Sequence, residues 1–348
     1  MKLLFVTQTI DRENDVLGFV HRWLEVLSGS FASIVAVGLG VGRHALPHTV
    51  RVVSLGKEQG GTTRQFMWRF LNIAWRERKN YDAVFVHMNE EYVLLAGLMW
   101  RLLGKKVFLW RNHPMGTWKT KIAVMFAHTV FCTSPHAFTA QFSKTKIMPA
   151  GIDTEMFATG DTKKRVPYSL VMLGRIAPIK GQKIVVDALL ELSRKGHHVR
   201  SVFVGDALQC DEAYVSDVKI SALTLGDMVE FLPAVPHHEA PRIFQTYEMF
   251  VNATPSGSLD KTILEAMASG CIPIVCNDYF RGVVDRECMF VSGDARSCAE
   301  AIGHVSGWSE EKRQTEAAKN RGFVIEHHSL TLLADKLRRE IESSTLHQ

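Results

Sequence analysis

Apolar and polar positions along the chain alternate between two periods. Residues 3–6, 33–37, 50–53, 83–86, 106–110 and 129–132 are short, nearly unbroken apolar runs, the kind that becomes a buried strand. Between most of them, 19–27, 63–79 and 92–103 carry apolar residues at helical spacing. Strand and helix in turn predict a parallel sheet with crossover helices. The pattern breaks at Met148-Pro149-Ala150-Gly151-Ile152-Asp153, and a polar, lysine-rich segment runs on to Pro167. It then restarts with a strand at 170–173 and a helix at 181–195 that has Ile184, Val185, Ala188, Leu189 and Leu192 on one face. Strands follow at 201–204, 230–232, 249–251, 272–276 and 289–291, and a charged amphipathic helix spans 330–341. The expected fold is α/β: two doubly wound, Rossmann-like domains facing a central cleft, with ligands at the carboxyl ends of the strands. The expected division is 1–150, then 151–330, with a C-terminal helix in 331–348 returning to the first domain.

Composition narrows this picture. At 348 residues, and roughly 150 per domain, two domains are expected. The longest apolar run, Tyr92 to Trp100, is too short to span a membrane and is closed by Arg101. The opening residues read as a first strand rather than a signal peptide, so a cytoplasmic location is expected. Six cysteines without a C-x-x-C spacing predict reduced, mostly buried thiols and no zinc. The histidine pairs 197–198, 237–238 and 327–328 read as surface residues rather than metal ligands.

Net charge is +5, but residues 1–150 carry 19 Lys+Arg against 9 Asp+Glu, whereas the remainder carries 22 against 27. A basic first half predicts an anionic partner, such as a membrane surface or an acidic acceptor. No nucleic-acid recognition motif accompanies the charge, so no nucleic-acid partner is expected. Residues 63–79 mix Phe66, Trp68, Phe70 and Trp75 with Arg64, Arg69, Arg76, Arg78 and Lys79. They read either as a membrane-surface helix or as a helix packed by its apolar side with a basic solvated face.

Candidate chemistry concentrates in two stretches. In Gly174-Arg175-Ile176-Ala177-Pro178-Ile179-Lys180-Gly181, Gly174 permits a tight turn that leaves Arg175 and Lys180 at the carboxyl end of a strand. An arginine chelates phosphate oxygens and a lysine adds a point charge, so the pair suits a diphosphate without a metal. The second stretch is the small-residue loop Ser256-Gly257-Ser258-Leu259-Asp260-Lys261, followed by a helix over 262–269 and a stop at Gly270. Amides at such a helix start can hold phosphate and sugar oxygens, and Glu265, about one turn in, can accept hydrogen bonds from a ribose diol.

With these parts in hand, the chain resembles family 4 retaining glycosyltransferases of the GT-B fold, the glycosyl transferases group 1, over nearly its whole length. The resemblance rests on the opening strand and the Gly18 loop, Ala150-Gly151-Ile152-Asp153, the turn from Gly174 to Gly181, and Glu265-Ala266-Met267-Ala268-Ser269-Gly270-Cys271-Ile272-Pro273. It implies that Arg175 and Lys180 bind the nucleotide diphosphate and that Glu265 binds ribose. Gly174, Ser258, Leu259, Asp260, Lys261 and Thr262 would complete the donor site. Gly18 would let backbone approach the donor phosphates, and His113 would lie near the transferred sugar. Arg111 and His87-Met88-Asn89-Glu90 are candidates for acceptor contact. The family's earlier glutamate falls at Gly257, and Asp260 is the nearest carboxylate to replace it.

The expected activity is transfer of a sugar from a nucleotide-diphosphate donor to an acceptor hydroxyl of a glycan or lipid-linked molecule, with retention and without metal or cofactor. Two alternatives stay open: a sugar-nucleotide epimerase of similar fold, and a non-catalytic sugar-nucleotide-binding protein. A nicotinamide dehydrogenase is disfavoured because the first βα turn lacks G-x-G-x-x-G.

Overall fold

A computed structural model describes residues 1–161, 164–257 and 259–346. The chain divides into two units, the first comprising Met1–Gly151, Pro236–His238 and Leu330–Gln348, the second Ile152–Val235 and Glu239–Ser329.

The first unit is built on seven parallel strands: β1 (Lys2–Ile10), β2 (Ser33–Val41), β3 (Val50–Ser54), β4 (Ala83–His87), β5 (Lys106–Trp110), β6 (Thr129–Cys132) and β7 (Thr145–Ile147). Their order is β3-β2-β1-β4-β5-β6-β7, so the chain reverses direction across the sheet between β1 and β4. Five consecutive buried residues of β1, Leu3 to Thr7, explain why its sequence shows a continuous apolar run: both faces of the strand are covered. On one face, α1 (Phe19–Ser28) and α11 (Leu330–Leu346) bury Trp23, Leu24 and Leu27 with Leu333, Leu337 and Ile341. On the other lie α2 (Thr63–Arg76), α3 (Glu91–Leu102) and α4 (Trp118–Phe126), which bury Phe70, Ala74, Val93, Ala96, Trp100, Ala123 and Val124. Helix α2 starts sharply because Thr62 and Gln65 form a reciprocal capping box.

The second unit has five parallel strands: β8 (Val166–Leu173), β9 (Arg200–Val204), β10 (Val229–Leu232), β11 (Tyr247–Asn252) and β12 (Ile272–Val275). Their order, β10-β9-β8-β11-β12, places the reversal between β8 and β11. The helices are α5 (Gln182–Arg194), α6 (Glu212–Ala222), α7 (Ala240–Thr246), α8 (Lys261–Ala268), α9 (Ala295–Ser306) and α10 (Glu310–His328). Among these, α5 packs on α9 and α8 on α10.

The expected strand at 289–291 does not form. Met289 makes one isolated bridge to Val275, because a 3-10 turn at Arg286–Cys288 precedes it and a left-handed Gly293 follows closely. Five cysteines are buried and Cys210 is exposed, all as thiols. Among the described residues no helix is long and apolar enough to cross a membrane.

Candidate active site

In an open parallel sheet, the strands diverge at the reversal point and leave a crevice beyond their carboxyl ends. In the second unit that point lies after β8 and β11. Gly174, in the left-handed region at φ 142°, turns the chain out of β8 and delivers Arg175. Arg175 is exposed and carries no ion pair among the described residues, while its carbonyl accepts from Gln182 Nε2 at 2.9 Å. A 3-10 turn at Pro178–Lys180 then brings Lys180 to the entrance of α5.

The end of β11 meets this turn through Asp260. Lys180 Nζ donates to Asp260 Oδ2 at 2.5 Å, and Asn252 Nδ2 and Thr254 Oγ1 donate to the same oxygen at 3.1 and 3.4 Å. The other oxygen, Oδ1, accepts from the amide and the hydroxyl of Thr262, at 3.3 and 2.9 Å, and so caps α8. Burial alone would raise the carboxyl's pKa; the Lys180 ammonium and these hydrogen bonds overcome it and hold the group at about 2. Both of its oxygens are committed to shaping the site.

Lys261 and Glu265 follow on α8, four residues apart and so on one face. Burial pushes the Lys261 ammonium down to about 7, with Glu265 acting in the opposite sense. Glu265 is buried. The far end of the helix is held by two arginines. Arg165 Nη2 donates to the Ser269 carbonyl at 2.6 Å, and Arg321 donates to the carbonyls of Ala268 and, at 2.9 Å, Phe157. Cations at the last carbonyls complement the helix dipole, so α8 is fixed by a carboxylate at its start and guanidiniums at its end.

Gly257 adopts φ 134°, a backbone conformation that L side chains rarely take. The loop is shaped for glycine, and a glutamate would not fit it unstrained. Ser258 lies outside the described residues. Leu259 stands in the same loop, before Asp260. A cavity of about 820 Å³ adjoins it, lined in part by Ser256, Asp278, Arg281 and Arg286. There Ser256 Oγ donates to Asp278 Oδ2 at 3.1 Å, and Arg281 pairs with Asp278.

The structure thus gathers Gly174, Arg175, Lys180, Asp260, Lys261, Thr262 and Glu265 in the second unit. Gly18 and His113 belong to the first. Gly18 precedes α1, and a side chain there would meet Asn14 O at 2.5 Å, so close packing requires the glycine. His113 is exposed, with Nδ1 close to the amide and carbonyl of Met115. Arg111 is bound by Glu90 at 2.5 Å, which leaves both less available to an acceptor. His87 is a core histidine: it is buried, its Nδ1 pairs with Thr7 Oγ1 at 3.1 Å, and it packs on Phe5, Phe19 and Trp23. It offers an acceptor no surface. Sequence reading missed Asn252 and Thr254; their position at the end of β11, directly before the small-residue loop, was the available signal.

These two sheets with their covering helices define the GT-B fold class. HepE of Anabaena, solved with UDP and glucose, superposes with a TM-score of 0.76 at 16% identity, covering 99% of this chain and 100% of that one. Sucrose-phosphate synthase of Thermosynechococcus elongatus superposes at 0.77 and 14% identity, covering all of both chains. Residues 167–306, within the second unit, match the family model of the glycosyl transferases group 1. In sequence it is 27% identical over 195 residues to D-inositol 3-phosphate glycosyltransferase of Segniliparus rotundus, covering 52% of this chain and 40% of that protein. It is 28% identical over 133 residues to a component of the phosphatidylinositol N-acetylglucosaminyltransferase of Arabidopsis thaliana, covering 38% of this chain and 29% of that protein. The chain therefore spans less than half the length of the curated relatives it matches.

Proposed function

We propose that this protein is a retaining glycosyltransferase that moves a sugar from a nucleoside-diphosphate donor to an acceptor hydroxyl. The observation that carries this reading is the pair Arg175 and Lys180, set beyond the strand reversal of the second unit and joined to the donor helix α8 through Asp260. A departing diphosphate gains negative charge as its bond to the sugar breaks, and two cations held beforehand stabilise that charge without reorganising. Lys180 is the held cation, with its ammonium fixed by Asp260. Arg175 is the reaching one, an exposed fork that can close on phosphate oxygens in a bidentate manner.

In this reading Glu265 binds ribose hydroxyls, backbone amides of the loop before α8 hold phosphate and sugar oxygens, and Gly174 lets the donor approach the turn. Gly18 and His113 serve the donor phosphates and the transferred sugar from the first unit. Attack comes from the face of the departing diphosphate, whose oxygen takes the acceptor proton, so no side-chain nucleophile is required. The UDP and glucose bound by HepE support a nucleotide-sugar donor. The names of the curated relatives support a hydroxylated, phosphate-bearing acceptor. Two cations do the work that a metal does elsewhere, and catalysis is expected to persist in a chelator.

The test is thermal stabilisation against a panel of sugar nucleotides, followed by acceptor screening with the donor that binds. A ligand at 100 times its Kd adds roughly 2.7 kcal/mol. Stabilisation by one donor, lost in Arg175→Ala/Lys180→Ala, supports the site. Transfer product then supports the reaction. Isomerised donor without acceptor would replace it with the epimerase reading.

A further inference from the structure

The first unit carries an outer surface on α2, α3 and α4 that the transfer reading does not use. Each helix turns one face to the sheet core. On the opposite faces Trp68 and Trp75 of α2, Leu98 and Leu102 of α3, and Trp118 and Met125 of α4 are exposed, Trp68 and Trp118 each by 67% and Leu102 by 80%. Spacings of seven, four and seven residues put each pair on one side of its helix. Because α2 packs on α3 and α3 on α4, the six side chains share one surface.

The same surface is cationic. Arg64, Arg76, Lys79, Arg101, Lys119 and Lys121 are all exposed between the apolar residues. Residues 63–126 contain 11 Lys+Arg against 4 Asp+Glu. Of those four acids, Glu77 pairs with Arg51, Glu90 pairs with Arg111, and Asp82 accepts from the Lys2 amide, which leaves Glu91 at the start of α3. Arg78 lies 4.3 Å over the Trp75 ring and Arg101 donates to the Met125 carbonyl at 2.9 Å, so cation and apolar group are interleaved rather than segregated.

We propose that this face docks on an anionic phospholipid surface. Indole rings and leucines suit the boundary between headgroups and acyl chains, and the surrounding cations suit the headgroup charge. A second copy of the chain is a poorer occupant, because face-to-face docking would oppose like charges. The surface lies within the first unit, and the proposal does not depend on the donor site.

Co-sedimentation of the full chain with vesicles tests it, comparing phosphatidylcholine alone with phosphatidylcholine containing phosphatidylglycerol at low and high salt. Binding should require phosphatidylglycerol and weaken with salt. Each cation near the surface contributes about 1 kcal/mol, so Arg64→Gln and Lys121→Gln should each lower the partition coefficient roughly fivefold. Trp68→Ser/Trp118→Ser should lower it further while keeping the melting temperature and donor stabilisation of the parent. Absence of binding by folded protein, or equal binding to both vesicle types, would overturn the proposal. So would a salt-resistant dimer in sedimentation that the tryptophan variant dissolves.

Discussion

Lys180 Nζ and Asp260 Oδ2 stand 2.5 Å apart across 80 residues of sequence, joining the turn after β8 to the cap of α8. One carboxylate thus sets both the position of the Lys180 ammonium and the start of the helix that carries Glu265. Asp260→Asn should damage both. Asp260 titrates near 2 in the folded protein against an ordinary 3.8, so its contribution is complete above the ordinary value and is lost as pH falls toward 2. The contribution is about 2 kcal/mol. Denaturant unfolding of parent and variant should differ by about that amount at pH 7 and converge at pH 2; an unchanged difference at pH 2 would contradict the pairing.

Arg175 and Lys180 should separate in their variants. Arg175 is exposed and unpaired with any described acid, so Arg175→Ala should leave stability within about 0.5 kcal/mol while lowering turnover roughly a hundredfold. Lys180→Ala leaves Asp260 without its cation and should cost stability as well, about 3 kcal/mol. Melting curves read beside initial rates distinguish the two.

Restoring the family's glutamate should fail. Gly257 occupies φ 134°, so Gly257→Glu places a side chain on a strained backbone, at a cost of about 1–3 kcal/mol. A melting temperature below the parent's, with no gain in transfer, is expected. A stable variant with raised turnover would show that the loop readily takes another conformation.

Lys261 should give an alkaline signature. Burial lowers its pKa to about 7, whereas the unfolded chain takes up the proton near 10.4. Its favourable contribution is therefore present above the unfolded value and is lost as pH falls from about 10 to 7. Lys261→Met removes that dependence. The variant should gain stability relative to the parent as pH falls through this window, as followed by urea midpoints.

Arg321 should matter although it lies far along the chain from the loop. It donates to carbonyls of Thr154, Phe157 and Ala268, and Arg321→Ala leaves the C-terminal end of α8 without one of its two cations. A loss of about 2–4 kcal/mol is expected, with Arg321→Lys recovering only part, because an ammonium lacks the fork that spans these carbonyls. Unfolding midpoints of the two variants check it.

The sequence by itself determined the α/β class, the positions along the chain of most strands and the two stretches that meet where Lys180 pairs with Asp260. Those features are local. A strand covered on both faces must be apolar throughout, an amphipathic helix must repeat every 3.6 residues, and the turn out of β8 at φ 142° needs Gly174. Helices α4, α6 and α10 were less legible, since their weak amphipathic patterns reflect packing against neighbours rather than a simple stripe.

Only the tertiary structure decided what each polar residue does. His87 closes a strand as a ligand would, yet aromatic neighbours from β1 and α1 surround it and make it core. Asp260 sits where a sugar-binding carboxylate could be sought, yet Lys180, Asn252, Thr254 and Thr262 use both its oxygens. The tryptophans of α2 divide from its phenylalanines only once Phe70 is buried and Trp68 and Trp75 are left outside. The reason is common to all three. Periodicity records which side of an element is buried, but a polar atom's role is set by partners that the fold brings from distant sequence.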